Sequence, residues 1–221
     1  MRCVRIWFNK TGMSRYISHL DLMRTMTRAI RRSKIPLWYT EGFNPHPYMT
    51  FSLPLSLGME SVCESMDIRI EGETSNEEIL SSLKAVMPDG IDIAAVTEPK
   101  LDPKFIAFGK FDISFFDISD KDAFCNMVNE MLSSDELVVQ KLGKKGRKKV
   151  YKDINLIEFI KESALRLEGE NAVLEIVLPA GSTTNVNPSL LADEIVKRAD
   201  GDIGYVILRK QLLTENMEDF A

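Results

Sequence analysis

Two prolines one residue apart, in the run Gly42-Phe43-Asn44-Pro45-His46-Pro47, constrain this chain more than any other feature. They remove two backbone amides and fix two φ angles, so neither a helix interior nor a central strand can pass through the run. Gly42 permits a left-handed turn, which makes the segment a rigid loop. That loop holds Asn44 and His46, two side chains that both donate and accept hydrogen bonds, in a low-entropy arrangement.

Upstream of it, Ser18 followed three residues later by Asp21 reads as a capping-box variant, with hydroxyl and carboxylate both placed to take orphan amides. The spacing predicts a helix from Ser18 to Ser33. At about 100° per residue, Leu22, Met23, Met26, Ala29 and Ile30 share one arc, while Arg24, Arg28 and Arg31 share the opposite one with Arg32 beside them. One face is core and the other is a stripe of guanidinium groups. His19 falls on the apolar side and Asp21 near the arginines, so the two form no dyad.

The rest of the chain alternates between strand and helix patterns. Cys3–Phe8, Leu37–Thr40, Met66–Glu71 and Ile91–Val96 read as strands, and Met49–Leu57, interrupted by a proline, as an edge or irregular extension. Ser75 or Asn76 caps a second helix running to Met87. The resulting β-α-β-β-α-β order is ferredoxin-like. After a proline-bracketed linker the pattern restarts: a strand at Phe111–Phe116, a helix at Asp120–Leu132, a strand at Leu137–Gln140, and a basic hairpin left through Val150–Ile154. Asn155–Glu162 reads as a short helix or a turn. A further hairpin follows, then a helix with Pro188 in its first position and a last strand at Gly204–Lys210. The expected fold class is therefore α+β, with two ferredoxin-like domains in tandem at 1–98 and 110–221, a linker at 99–109, and an inserted hairpin in the second. The repeat is one of element order, since neither the SHLD nor the FNPHP run recurs.

A length of 221 residues with 44% hydrophobic content accommodates two cores. No long apolar run and no signal-peptide pattern occurs, which points to a cytoplasmic protein with no membrane partner. Cys3, Cys63 and Cys125 are odd in number and widely spaced, so neither a disulfide framework nor a metal site is expected, and no cofactor is implied. Net charge is −5, but residues 1–50 carry nine Lys or Arg against Asp21 and Glu41, a local balance of +7. The run KLGKKGRKKVYK at 141–152 holds seven basic side chains and no acid. A local positive field on an acidic body fits an anionic partner, and a solvated charge run is the plainer alternative for the hairpin.

The stretch from Arg15 to Asp67 resembles the radical-SAM-linked family. Its pattern is matched by Arg15, the run Ser18-His19-Leu20-Asp21, Arg24, Arg28-Ala29, Arg32, the run Gly42 to Pro47, Phe51, Pro54-Leu55, Gly58, Glu64 and Asp67. Beyond Asp67 the likeness is carried chiefly by element order and Arg209. The resemblance implies a companion of cobalamin-dependent radical SAM proteins, so that a radical SAM protein is an expected partner. It implies no reaction for this chain, which lacks the closely spaced cysteines of a radical SAM cluster. Where that family is often basic after Pro47, this chain has Tyr48, which keeps a hydrogen bond and adds a stacking face.

Three readings follow. The first is an RNA-binding accessory protein presenting tRNA or rRNA to a modification or processing enzyme, with Arg15, Arg24, Arg28, Arg31, Asn44, His46, Tyr48, Lys144, Lys145, Arg147, Lys148 and Lys149 contacting nucleic acid. The second is a metal-independent endoribonuclease resembling the CRISPR repeat-processing enzymes, with His19 and His46 as base and acid. The glycine-rich segment of those nucleases has no counterpart here beyond Gly181 and Gly204. The third is a structural or protein-interaction module, in which Glu64 and Asp67 pair with the arginine stripe and remove it from function. Exposure discriminates: arginines 24, 28 and 31 facing solvent favour a ligand, and arginines buried against Glu64 and Asp67 favour architecture. The reading taken is the first, a binding module rather than an enzyme.

Overall fold

The computed structural model describes residues 1–145, 148–181 and 183–221, with side chains outside the description over 142–149. The fold is mixed α+β. It divides into two compact units, one of residues 1–106 with 209–211 and 219–221, the other of residues 107–208 with 212–218.

In the first unit, β1 (Arg2–Lys10) lies between β3 (Glu60–Ile70) and β4 (Ile91–Thr97), antiparallel to both, and the short β2 (Met49–Phe51) pairs with β3. Alternation along the strands sorts their side chains. Val4, Ile6 and Phe8 of β1 and Met66, Ile68 and Ile70 of β3 are completely buried. They share one core with Leu22, Met26 and Ile30 of α1 (His19–Arg32) and Ile79 and Leu83 of α2 (Asn76–Lys84). Arg5, Asp67 and Arg69 have the opposite strand parity, and so belong to the sheet face turned away from the helices.

Both helices start where their caps dictate. The Ser18 hydroxyl accepts from the Asp21 amide and Ser75 makes a full capping box with Glu78. The Asp21 carboxylate differs from expectation, because it accepts from the Ser18 hydroxyl at 2.7 Å and from Arg24 rather than from a backbone amide. The expected strand at Leu37–Thr40 is also absent as a strand. That segment makes only isolated bridges, Leu37 to Ile70 and Tyr39 to Pro47, because the proline loop turns the chain back before a ladder can extend. α2 ends at Lys84, three residues before Met87.

In the second unit, β5 (Phe108–Phe116) pairs with β9 (Asn171–Pro179), which pairs in turn with β8 (Glu162–Glu168). On the other side of β5 runs β10 (Gly204–Leu213), and the helices are α3 (Lys121–Ser133) and α4 (Ser189–Arg198). Phe124, Val128 and Met131 form the buried stripe of α3, with Met127 half-buried beside them. β6 (Val138–Lys145) and β7 (Lys148–Asn155) pair with each other as a separate two-stranded sheet. The orders β4-β1-β3 and β10-β5-β9-β8 are compatible with the ferredoxin-like pattern in each unit.

Candidate nucleic-acid interface

The arginines of α1 are on its solvent side. Arg24, Arg28 and Arg31 are all exposed, and so is Arg32. The carboxylates that could have neutralised them are engaged elsewhere in the first unit. Asp67 receives the Nε and a terminal nitrogen of Arg5 at 2.7 and 2.9 Å, a two-pronged pair that the Arg–carboxylate geometry favours. Glu64 is held by Arg209, whose Nε donates at 3.2 Å and whose other nitrogen also reaches the Leu53 carbonyl at 2.9 Å. Both partners of this second pair are almost fully buried, at 4% and 3% side-chain exposure. Lys10 is buried close by, with its ammonium on the Arg15 carbonyl at 3.2 Å. Burial pushes the Lys10 amine below its usual value, and the nearby Glu64 charge offsets only part of that.

Each stripe arginine is differently tied. Arg24 pairs with Asp21 in an exposed i, i+3 contact, a kind that adds little to stability. Hydrogen bonds from Ser18 and then Arg24 hold the Asp21 carboxyl below the usual carboxylate range. Arg28 has no ion pair or hydrogen bond among the described residues. Arg31 donates through Nε to the Tyr39 hydroxyl at 3.3 Å and lies over its ring at 6.0 Å. Arg32 reaches the Val86 carbonyl. Arg15 is more committed, since it pairs with Glu60 at 3.1 Å and covers the Tyr16 ring at 4.9 Å.

Tyr39 carries the stripe to the loop, because it bridges Pro47. Within the loop, Gly42 takes φ 125°, a left-handed value that its lack of Cβ allows. The loop closes on itself: Thr40 N–H donates to the His46 carbonyl at 2.9 Å, and His46 N–H donates to the Thr40 hydroxyl at 3.2 Å. His46 Nδ1 sits 3.0 Å from the Asn44 carbonyl and 3.1 Å from the Thr40 hydroxyl. Phe43, Asn44 and His46 are exposed, Phe43 completely so. Tyr48 is half-buried. The Arg69 guanidinium lies 4.1 Å from its ring centroid and 5.4 Å from that of Trp38, a cation between two aromatic faces.

The structure thus brings Arg31, Asn44, His46 and Tyr48 into one neighbourhood and sets Arg15 apart in its own ion pair. Trp38, Tyr39 and Arg69 complete that neighbourhood and were not among the residues expected from sequence. The available signal was the Trp38-Tyr39 pair immediately before a rigid loop in a basic region. Lys144, Lys145, Arg147, Lys148 and Lys149 lie outside the described residues as far as their side chains are concerned. His19 is not joined to His46 by any contact among the described residues. Its ring stands edge-on to Phe51 at 5.0 Å, and its Nδ1 is buried with no hydrogen-bond partner.

A family model described as an uncharacterized protein conserved in bacteria (DUF2344) matches residues 3–188. The chain belongs to that family. The matched span of this DUF2344 chain includes the arginine stripe, the proline loop and Trp38, and stops before Arg209. No curated protein matches the chain. Among solved structures it is similar to a chain in the crystal structure of a Cbf5–Nop10–Gar1 complex, at 9% identity and a TM-score of 0.52. The alignment covers 95% of this chain and 48% of that one, so the DUF2344 chain spans about half the length of that neighbour. At such identity the likeness is one of fold alone. No helix among the described residues is long and apolar enough to cross a membrane.

Proposed function

We propose that the protein is an RNA-binding accessory module that presents RNA, of the tRNA or rRNA class, to a modification or processing enzyme. One observation carries this reading. Arg24, Arg28 and Arg31 face solvent, while Glu64 and Asp67 are occupied by Arg209 and Arg5. Seven residues of helix separate the first and last of these arginines, about 10 Å along the axis, which suits successive phosphates of one strand. Guanidinium groups next to exposed aromatic rings are the combination that single-stranded nucleic acid requires: charge for the backbone and π-faces for the bases. The basic hairpin at 141–152 adds a second positive segment to the same reading. A radical SAM protein as the enzyme served rests on the family resemblance, and domains at 1–98 and 110–221 remain the proposed working division of the chain.

Crosslinking the protein to RNA in cells and sequencing what is attached tests the reading. Enrichment of a structured RNA class is expected, and absence of any enriched RNA would overturn it. The purified protein, without metal, should leave a bound RNA intact. Cleavage to a 2′,3′-cyclic phosphate that His46→Gln or His19→Ala abolishes in a folded protein would replace the accessory role by a nuclease one.

A further inference from the structure

The proline loop carries more specific information than positive charge. A backbone carbonyl only accepts hydrogen bonds, so the 3.0 Å approach of His46 Nδ1 to the Asn44 carbonyl assigns the ring proton to Nδ1. The Thr40 hydroxyl, 3.1 Å from the same nitrogen, already accepts the His46 N–H and is compatible with that tautomer. Nε2 of the neutral ring is then an acceptor, and it has no partner among the described residues. It stands on an exposed side chain whose backbone is held from both sides by Thr40, between Pro45 and Pro47. Two residues before Asn44's neighbour Pro45, at Phe43, a phenyl ring projects with no covering group at all. Phe43 thus offers an uncovered π-face, and beside a guanidinium stripe the fitting cover is a flat, uncharged base attached to a phosphate.

We propose that this loop captures an unpaired ribonucleotide, with Phe43 stacking on the base and His46 Nε2 accepting a hydrogen bond from the ribose 2′-hydroxyl. The proposal rests on the RNA-binding reading and adds to it a means of telling RNA from DNA. The 2′-hydroxyl is the group that distinguishes the two at a given nucleotide, and an acceptor locked in one tautomer reads it as a donor. A duplex would hide the base that Phe43 needs, so the target is a loop, bulge or single strand.

The test uses the full chain and three fluorescent single strands of one mixed sequence: RNA, DNA and 2′-O-methyl RNA. The methylated strand keeps an RNA-like sugar but has no 2′ donor. Wild type should bind RNA roughly fivefold more tightly than either of the others, the value of about one hydrogen bond. His46→Leu should reduce that ratio to about one. Phe43→Ala should weaken all three strands by roughly tenfold. Asn44→Ala retains the backbone carbonyl that fixes the tautomer, and should retain the ratio. Because each ratio is taken within one variant, a partly unfolded preparation does not imitate the His46 effect. Equal binding of the three strands by wild type, or a ratio that survives His46→Leu, would overturn the proposal and leave RNA binding standing. Binding of none of them would overturn RNA binding itself.

Discussion

Arginine does two different things within the first unit, and the contrast between β3 and α1 explains how. On β3, Glu64 and Asp67 draw Arg209 and Arg5 into largely buried ion pairs, and Arg209 adds a hydrogen bond to the Leu53 carbonyl. On α1, eight residues of amphipathic helix present Arg24, Arg28 and Arg31 to water, with one exposed carboxylate, Asp21, a turn before them. Burial converts a guanidinium into architecture, since removing its partner strands an expensive charge. Exposure leaves the charge nearly free in stability terms and therefore available to a ligand.

The largest expected effect lies in the buried pair. Glu64→Met should destabilise the protein by about 3–5 kcal/mol, because Arg209 keeps the Leu53 carbonyl but loses its carboxylate, and Lys10 loses the charge that partly offsets its burial. Urea unfolding measures this, and Glu64→Met with Arg209→Met should recover more than half of the loss. A single-mutant cost below about 1 kcal/mol would erase the distinction between the two regions.

An intermediate effect belongs to Cys63, beside the same pair, whose thiol reaches the Arg209 carbonyl at 3.6 Å. Burial pushes this thiol up to about 11 from an ordinary 9.0, against the lowering influence of Arg209. The folded state therefore holds the proton more tightly than the unfolded one. Its contribution is complete below pH 9.0 and is lost as pH rises through about 11. Relative to Cys63→Ala, wild type should lose about 2 kcal/mol across that interval, and parallel stability curves for the two proteins would contradict the burial. The comparison with Cys63→Ala also cancels the opposite trend from Lys10, whose lowered value favours folding as pH climbs toward its ordinary range.

The smallest effect on stability is expected on α1. Changing Arg24, Arg28 and Arg31 together to Gln should alter unfolding free energy by no more than about 0.5 kcal/mol per site. Thermal melting checks it, and a collapse of the fold would assign the stripe to architecture after all.

How much of this was readable beforehand depended on range. Helix α1 was legible because its signals are local: the Ser18 cap and the apolar set ending at Ile30. The α+β class followed from strand alternation and two further capped helices. The loop was legible from its prolines. Leu37–Thr40 forms no strand although its aromatic content suggests one, because composition says nothing about the partner, and a continuous partner ladder is what it lacks. The true partners of Glu64 and Asp67 were hidden for a related reason. Arg209 is 145 residues from Glu64 and Arg5 is 62 from Asp67, and only strand register brings them together. The Trp38–Arg69–Tyr48 cluster likewise depends on β3 passing Trp38, where the Trp38 amide donates to the Arg69 carbonyl at 2.9 Å.

The direct test of the contrast is the salt dependence of RNA binding by wild type and by the Arg24→Gln, Arg28→Gln, Arg31→Gln triple variant, measured by filter binding. If the exposed arginines contact phosphates, the variant should lose affinity at every salt concentration. The slope of log affinity against log salt should become shallower by about 0.7 for each contact removed, roughly 2 in all. An unchanged affinity and slope in a normally folded triple variant would contradict the account.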